Sequence, residues 1–322
     1  MTQKGSSMRV HYFLCLAPVL FFLGCSAPKE PEIPQWVQEP PAATATELYG
    51  VSVADTSEEA VLSAAGGVAA VVLNAAAPSA DRETADKRLR GEITSGMRQI
   101  LTRLNYAKIT VKERAAMGEK TAVLVAMQRS DFVAQMKQAL QARSDALSPA
   151  VNAEAGTPAF ARLGALGAAH ETRPLLLAEI LLLETVEPAA DTSTYRALSQ
   201  KIESDYNALK FDTGITVISD ANAIVYVETV KKALRSEGIL PEGKPAGTLL
   251  LYADSQQDFA GGIYSVKTRL RIESTVKGEK IAENQLYLQA RSPEGYGDAR
   301  QKTATELVKT IRNGGLFHTL GF

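Results

Sequence analysis

The sequence predicts an α/β chain of the α+β kind, with two domains that are each a small mixed sheet covered by helices, behind a proline-rich tether. Three observations predict it. Tyr264, Val266, Leu270 and Ile272 alternate with Lys267, Arg269, Arg271 and Glu273, the pattern of a strand with one dry face and one wet face. Leu89, Ile93, Met97, Ile100, Leu101 and Leu104 form one apolar stripe at helical spacing. Pro28, Pro31, Pro34, Pro40 and Pro41 fall within residues 25–47, where they prevent helix and disfavour the interior of a sheet.

The first domain spans residues 48–145. Tyr49-Gly50-Val51-Ser52-Val53 reads as a strand. Asp55, Thr56 or Ser57 then caps a helix to about Leu73, with Glu58 and Glu59 in its first turn. That helix is rich in Ala and Val. Gly66-Gly67 in its middle costs about 1–2 kcal/mol in propensity, which points to close packing there. A charged helix follows over 81–104. Strands 107–113 and 120–128 form a hairpin around Met117-Gly118-Glu119. A last helix, 130–142, carries Phe132, Met136 and Leu140 at every fourth position.

Residues 146–172 are dominated by Ser, Ala, Pro and Gly and read as a flexible linker. The second domain spans 173–322. The continuous apolar run 175–184 reads as a strand buried on both faces. A helix follows over 195–209, then a buried strand over 214–218. Asp220 or Asn222 caps a helix that presents Val227, Val230 and Leu234 and ends at Gly238. Residues 248–253 form a third strand. The alternating strand at 264–273 turns at Lys277-Gly278-Glu279 into a partner over 280–290, and a helix over 298–311 closes the chain. The order is β-α-β-α-β-β-β-α, and right-handed crossovers place the helices on the sheet.

The N-terminus carries an address. Lys4 and Arg9 precede an apolar run from Tyr12 to Leu23, too short for a spanning helix of about 20 apolar residues. Charged, apolar and small-residue regions in that order describe a cleaved signal peptide, residues 1–24. Phe22-Leu23-Gly24-Cys25 resembles the bacterial lipobox, with Phe22 where that pattern prefers Leu. The resemblance implies a diacylglyceryl thioether and an N-acyl chain (palmitate in kind) on Cys25. Several acyl chains give durable anchoring, at about 0.8 kcal/mol per buried CH₂. Ser26 in place of Asp implies sorting to the outer membrane, with the protein facing the periplasm. No second apolar stretch of about 20 residues is read, so the lipid is expected to be the whole attachment.

Cleavage leaves 298 of the 322 residues, with no free thiol once Cys25 is acylated. Losing Lys4 and Arg9 from 35 basic residues leaves 33 against 36 acidic ones, a net charge near −3. That balance argues against nucleic acid as a ligand.

No catalytic constellation is legible, and the chain reads as a non-enzyme without cofactor or metal. His11, His170 and His318 lie in the signal, in the linker and near the C-terminus, and they supply no zinc spacing. Neither His170 nor His318 accompanies a nucleophile-elbow sequence, and no phosphate-cradling glycine motif is present. Glu58-Glu59 and Asp254 with Asp258 read as solvated carboxylates. Gly261-Gly262 and Gly314-Gly315 read as turns. The candidate partner-contact residues are Trp36, the cluster Lys87, Arg88 and Arg90, and the wet-face residues Lys267, Arg269 and Arg271. Each basic set is either a solvated face or a contact with an acidic partner or an anionic cell-wall polymer. Trp36 either packs on the first domain or touches a ligand.

Pro34-Gln35-Trp36-Val37, the strand 49–53, the Ala-rich helix and Thr121-Ala122-Val123-Leu124-Val125-Ala126-Met127-Gln128-Arg129 together resemble the LPP-type outer-membrane lipoprotein family, FlgP-like, over about residues 34–142. The resemblance implies an acylated, self-associating periplasmic domain, which in the FlgP branch builds rings or disks around the flagellar motor. Phe211-Asp212-Thr213-Gly214-Ile215-Thr216-Val217-Ile218-Ser219-Asp220 before a helix is similar to the periplasmic α/β domains of the CsgG and FlgT type, which implies docking between envelope proteins. The expected function is an assembly or docking scaffold in the periplasm, part of a flagellar basal disk or a similar ring. Its partners would be the outer-membrane lipid, further copies of itself and an envelope or flagellar protein. The alternative is a regulatory lipoprotein that contacts a cell-wall synthesis or secretion machine. Its tether of about 20 residues would reach about 70 Å at full extension.

Overall fold

The computed structural model describes residues 33–154, 156–239 and 245–322. The signal peptide, Cys25 and the start of the tether lie outside the described residues. The mixed α and β architecture is the one expected, with two sheets. A one-turn helix, α1 (Gln35–Gln38), carries Trp36 and lies against the first sheet.

That sheet is antiparallel throughout, in the order β1-β3-β2, from β1 (Glu47–Ala54), β2 (Thr110–Met117) and β3 (Lys120–Gln128). Gly118 and Glu119 make the β2–β3 turn, with Gly118 at φ 67°. The sheet is covered by α2 (Ser57–Glu83), with α3 (Lys87–Arg103) and α4 (Arg129–Val151) behind. Thr56 Oγ1 accepts the Glu59 N–H at 3.2 Å and caps α2, worth about 1 kcal/mol. Ala64, Val68 and Val72 of α2 seat on Val123, Val125 and Met127 of β3 in one core.

Two expectations are corrected at α2. It runs ten residues past Leu73. It is also long and apolar enough to span a membrane, with a mean hydropathy of 1.9 over its best window. Residues 60–80 carry no charge, but Ala, Gly and Ser make up most of them, so the stretch does not read as strongly apolar at first sight. A third of that window is buried in the protein, and the buried side seats the helix on its own sheet.

The largest correction is α5 (Ala159–Val186), one 28-residue helix. It covers 159–172, expected as linker, and 175–184, expected as a strand. Residues 146–151 are likewise the end of α4. A continuous apolar run cannot be assigned by periodicity, and Pro174 argues for a break, since proline removes a helical donor. Tertiary packing overrides both signals. Arg173 Nε and Nη2 reach Ser199 Oγ at 3.1 Å and Glu203 Oε2 at 2.7 Å, both on α6 (Ser193–Asp212). The glycines of the supposed linker are close-approach positions. A β-carbon on Gly164 would stand 2.0 Å from the Phe322 carbonyl carbon, and one on Gly167 would stand 2.4 Å from the Phe317 ring. The second half of α5 belongs to the first core and its first half, with Phe160, Leu163 and Leu166, to the second.

The second sheet runs β4-β5-β6-β7, from β4 (Gly214–Ser219), β5 (Pro245–Ala260), β6 (Ile263–Val276) and β7 (Glu279–Ser292). The first pair is parallel and the others antiparallel, so this sheet is mixed. Between β4 and β5 runs α7 (Ile224–Ser236), preceded by Asp220, whose Oδ1 accepts the Ala223 N–H at 2.7 Å. Both hairpins close on two residues of positive φ, Gly261-Gly262 and Lys277-Gly278, as primed turns require. Helices α7 and α8 (Tyr296–Gly314) cover one face, and the short α9 (Leu316–Leu320) tucks beneath β7. The other face of β5, β6 and β7 carries the exposed side chains.

Candidate functional site

The period of two along β6 places Val266, Thr268, Leu270 and Ile272 in the interior and Lys267, Arg269 and Arg271 outside, as the alternation predicts. Register then sorts the three cations. Arg269 lies between Asp254 and Tyr287, with Nη2 3.3 Å from Asp254 Oδ2. Arg271 lies over the Tyr252 ring, 4.5 Å from its centroid, and its Nη1 is 3.1 Å from Glu273 Oε1. Exposed pairs of this kind stabilise by about 0–1 kcal/mol, but they occupy the charges. Lys267 lies between Gln256 and Gln289 and, among the described residues, has no carboxylate within 4 Å.

One row toward the β5–β6 turn, Asp258, Ser265 and Arg291 stand side by side on β5, β6 and β7. Neither Asp258 nor Arg291 forms an ion pair among the described residues. A groove of about 530 Å³ runs between these side chains, with Ile263 and Pro293 on its apolar wall. Its volume lies in the ordinary range for small-ligand sites. The Ser265 hydroxyl oxygen is buried in it without a hydrogen-bond partner. An unmade hydrogen bond on a buried group costs about 1–3 kcal/mol.

The other expected contacts are not assembled this way. Arg88 is taken up by Glu92 at 3.1 Å and by Glu237, next to α7, at 3.8 Å. Arg90 pairs with Asp81 at 3.0 Å. Of that cluster, Lys87 alone is exposed without a carboxylate partner among the described residues, so no open basic patch forms at α3. Trp36 is half-buried in α1, which lies against β1 and β3. The sequence reading does not single out Ser265, Gln289 and Arg291; Asp258, expected as a solvated carboxylate, is exposed and without an ion pair among the described residues. The alternation of β7 was visible, but only the cross-strand register brings these four to Lys267.

The histidines are elsewhere. His170 of α5 stacks on Tyr206 of α6, with centroids 4.5 Å apart. Burial, and then the nearby Arg173 and Lys210 cations, press its pKa down to about 4. His318 is exposed on α9. Among the described residues no group of three His, Cys, Asp or Glu is placed to hold a metal. A larger cavity of about 710 Å³ between α4 and α5 is lined mainly by alanine methyls, with the closed Arg143–Glu179 pair on its wall.

Fold and surface together define a two-lobed α+β protein whose second sheet has an open, polar face. No protein-family model matches the chain, and no curated protein does. Among solved structures, the chain is similar to the secreted protein HP1454 from the human pathogen Helicobacter pylori, at 11% identity over 83% of this chain and 96% of that one, with a TM-score of 0.42.

Proposed function

We propose that this chain is a non-enzymatic outer-membrane lipoprotein, anchored through acylated Cys25 and facing the periplasm, that docks or assembles envelope proteins. The observation that carries the docking role is the open face of β5, β6 and β7, where Asp258, Lys267 and Arg291 line a groove and leave their charges unpaired. The lipobox-like Phe22-Leu23-Gly24-Cys25 supports the anchor. Self-association is supported by exposed apolar side chains on α2, Leu62 at 70% and Val71 at 41%. Anchoring raises the local concentration of both faces at the membrane without any new contact. Assembly in a flagellar basal disk or similar ring belongs to this reading.

The test is the mass and solution size of the protein extracted from membranes, beside a Cys25→Ala variant. An acylated native mass in a large particle, with a soluble variant, is expected. An unmodified native mass overturns the anchor. An acylated monomer that recovers no envelope protein after cross-linking overturns the docking role.

A further inference from the structure

We infer that the groove between Asp258 and the Lys267–Arg291 pair binds a small zwitterion, the free ammonium and carboxylate ends of a short peptide. The inference rests on the groove that carries the docking role and names its ligand; it does not depend on the lipid anchor.

The first argument is charge. An acid and two bases line one groove, and the structure leaves them apart. Elsewhere on the same face the cations find partners, Arg269 with Asp254 and Arg271 with Glu273. Unneutralised charges of both signs across a cleft complement a ligand that carries both signs. The second argument is span. Asp258 and Arg291 are two inter-strand steps apart, about 9.5–10 Å between backbones. An extended tripeptide covers about 10 Å. Its ammonium end would meet Asp258, and its carboxylate Arg291 and Lys267, where charge-assisted hydrogen bonds are the strong ones. The third argument is the Ser265 hydroxyl, which stands midway between the two poles, buried and without a partner. It can donate to a peptide carbonyl or accept from a peptide N–H. The Gln289 amide, beside Lys267, can do both. Ile263 and Pro293 leave room for small apolar side chains along the wall.

The test is calorimetric titration of the purified protein with trialanine, N-acetyl-trialanine and trialanine amide at low salt. Trialanine is expected to bind, and blocking either end is expected to weaken it about tenfold, the loss of one charge-assisted hydrogen bond. Lys267→Gln with Arg291→Gln should weaken trialanine at least as much, and Asp258→Asn should do so for the free peptide but not for the acetylated one. Arg269→Gln, already paired, should leave binding unchanged. All these positions are exposed, and unaltered thermal melting would confirm that the variants fold. Equal binding of free and blocked peptides, an equal loss in Arg269→Gln, or no binding at about 10 mM, well above a millimolar Kd, would each overturn the inference. The membrane-extraction and cross-linking test above reads acylation, particle size and protein partners and uses no peptide, so the two readings can fail separately.

Discussion

Gly67 of α2 lies directly against Gly50 of β1. A β-carbon at 67 would stand 3.3 Å from the Gly50 Cα and 3.2 Å from both the nitrogen and the oxygen of Val51. The contact is tighter from the strand side, where a β-carbon on Gly50 would fall 2.1 Å from the Ala64 carbonyl oxygen. Helix and sheet meet here backbone to backbone. Gly66, its neighbour, has nothing within 4 Å of its would-be β-carbon. The close packing expected for the pair therefore holds for one glycine of the two. Gly50→Ala is predicted to destabilise by about 1–3 kcal/mol through overpacking, or more. Gly66→Ala is predicted to stabilise by about 0.5–1 kcal/mol. Urea unfolding of both variants checks this, and the opposite order would refute it.

Arg143 forks onto Glu179 with both N–H···O distances at 2.7 Å, and the Glu179 residue is 2% exposed. Removing the arginine strands a buried carboxylate between α4 and α5. Arg143→Ala is predicted to cost about 3–5 kcal/mol. The double variant Arg143→Leu with Glu179→Leu should recover most of that. A double variant no better than the single would show that packing, not the orphaned charge, sets the loss.

Arg196 ties the end of α2 to α5 through Glu83 Oε2 at 3.0 Å and Glu184 Oε2 at 2.7 Å. Its fork satisfies two carboxylates that a lysine point charge cannot hold at once. Arg196→Lys is predicted to destabilise by about 1 kcal/mol, with the loss fading as salt rises. Chemical unfolding at low and high ionic strength measures it, and a salt-independent loss would contradict an electrostatic origin.

His170 predicts a pH dependence. Its pKa is pressed from 6.5 to about 4, first by burial and then by Arg173. Between those values the unfolded chain takes up a proton that the folded ring refuses, so stability falls as pH falls through that window. Glu171 acts with the opposite sign. Burial raises its pKa above 4.5, against the N–H groups of Phe317 and His318, so its contribution improves as pH falls toward 4.5. His170→Phe removes the first effect and keeps the second. The stability of the native protein minus that of the variant should be flat above pH 7 and should decline from 6.5 toward 4. A difference that does not vary with pH would sink the assignment.

The strands were legible where one face is wet. Along β6 the alternation of Lys267, Arg269 and Arg271 with Val266, Leu270 and Ile272 names both the element and its outer face. The stripe through Ile93 and Met97 did the same for α3. The reading failed at α5, where burial on all sides erases periodicity and Pro174 imitates a boundary. It also failed at Gly164 and Gly167, whose composition matches a linker although their function is to admit Phe322 and Phe317.

What the sequence by itself determined is the class of fold and the outward direction of Lys267, because these follow from local order and period. Which cations stay unpaired was decided only by the tertiary structure. Cross-strand register is set by turns and by the buried face, and it brings Asp254 to Arg269 while leaving Lys267 between two glutamines. The groove beside Ser265 exists because β5 and β7, 33 positions apart at Asp258 and Arg291, flank the same residue of β6. No spacing along the chain encodes that juxtaposition.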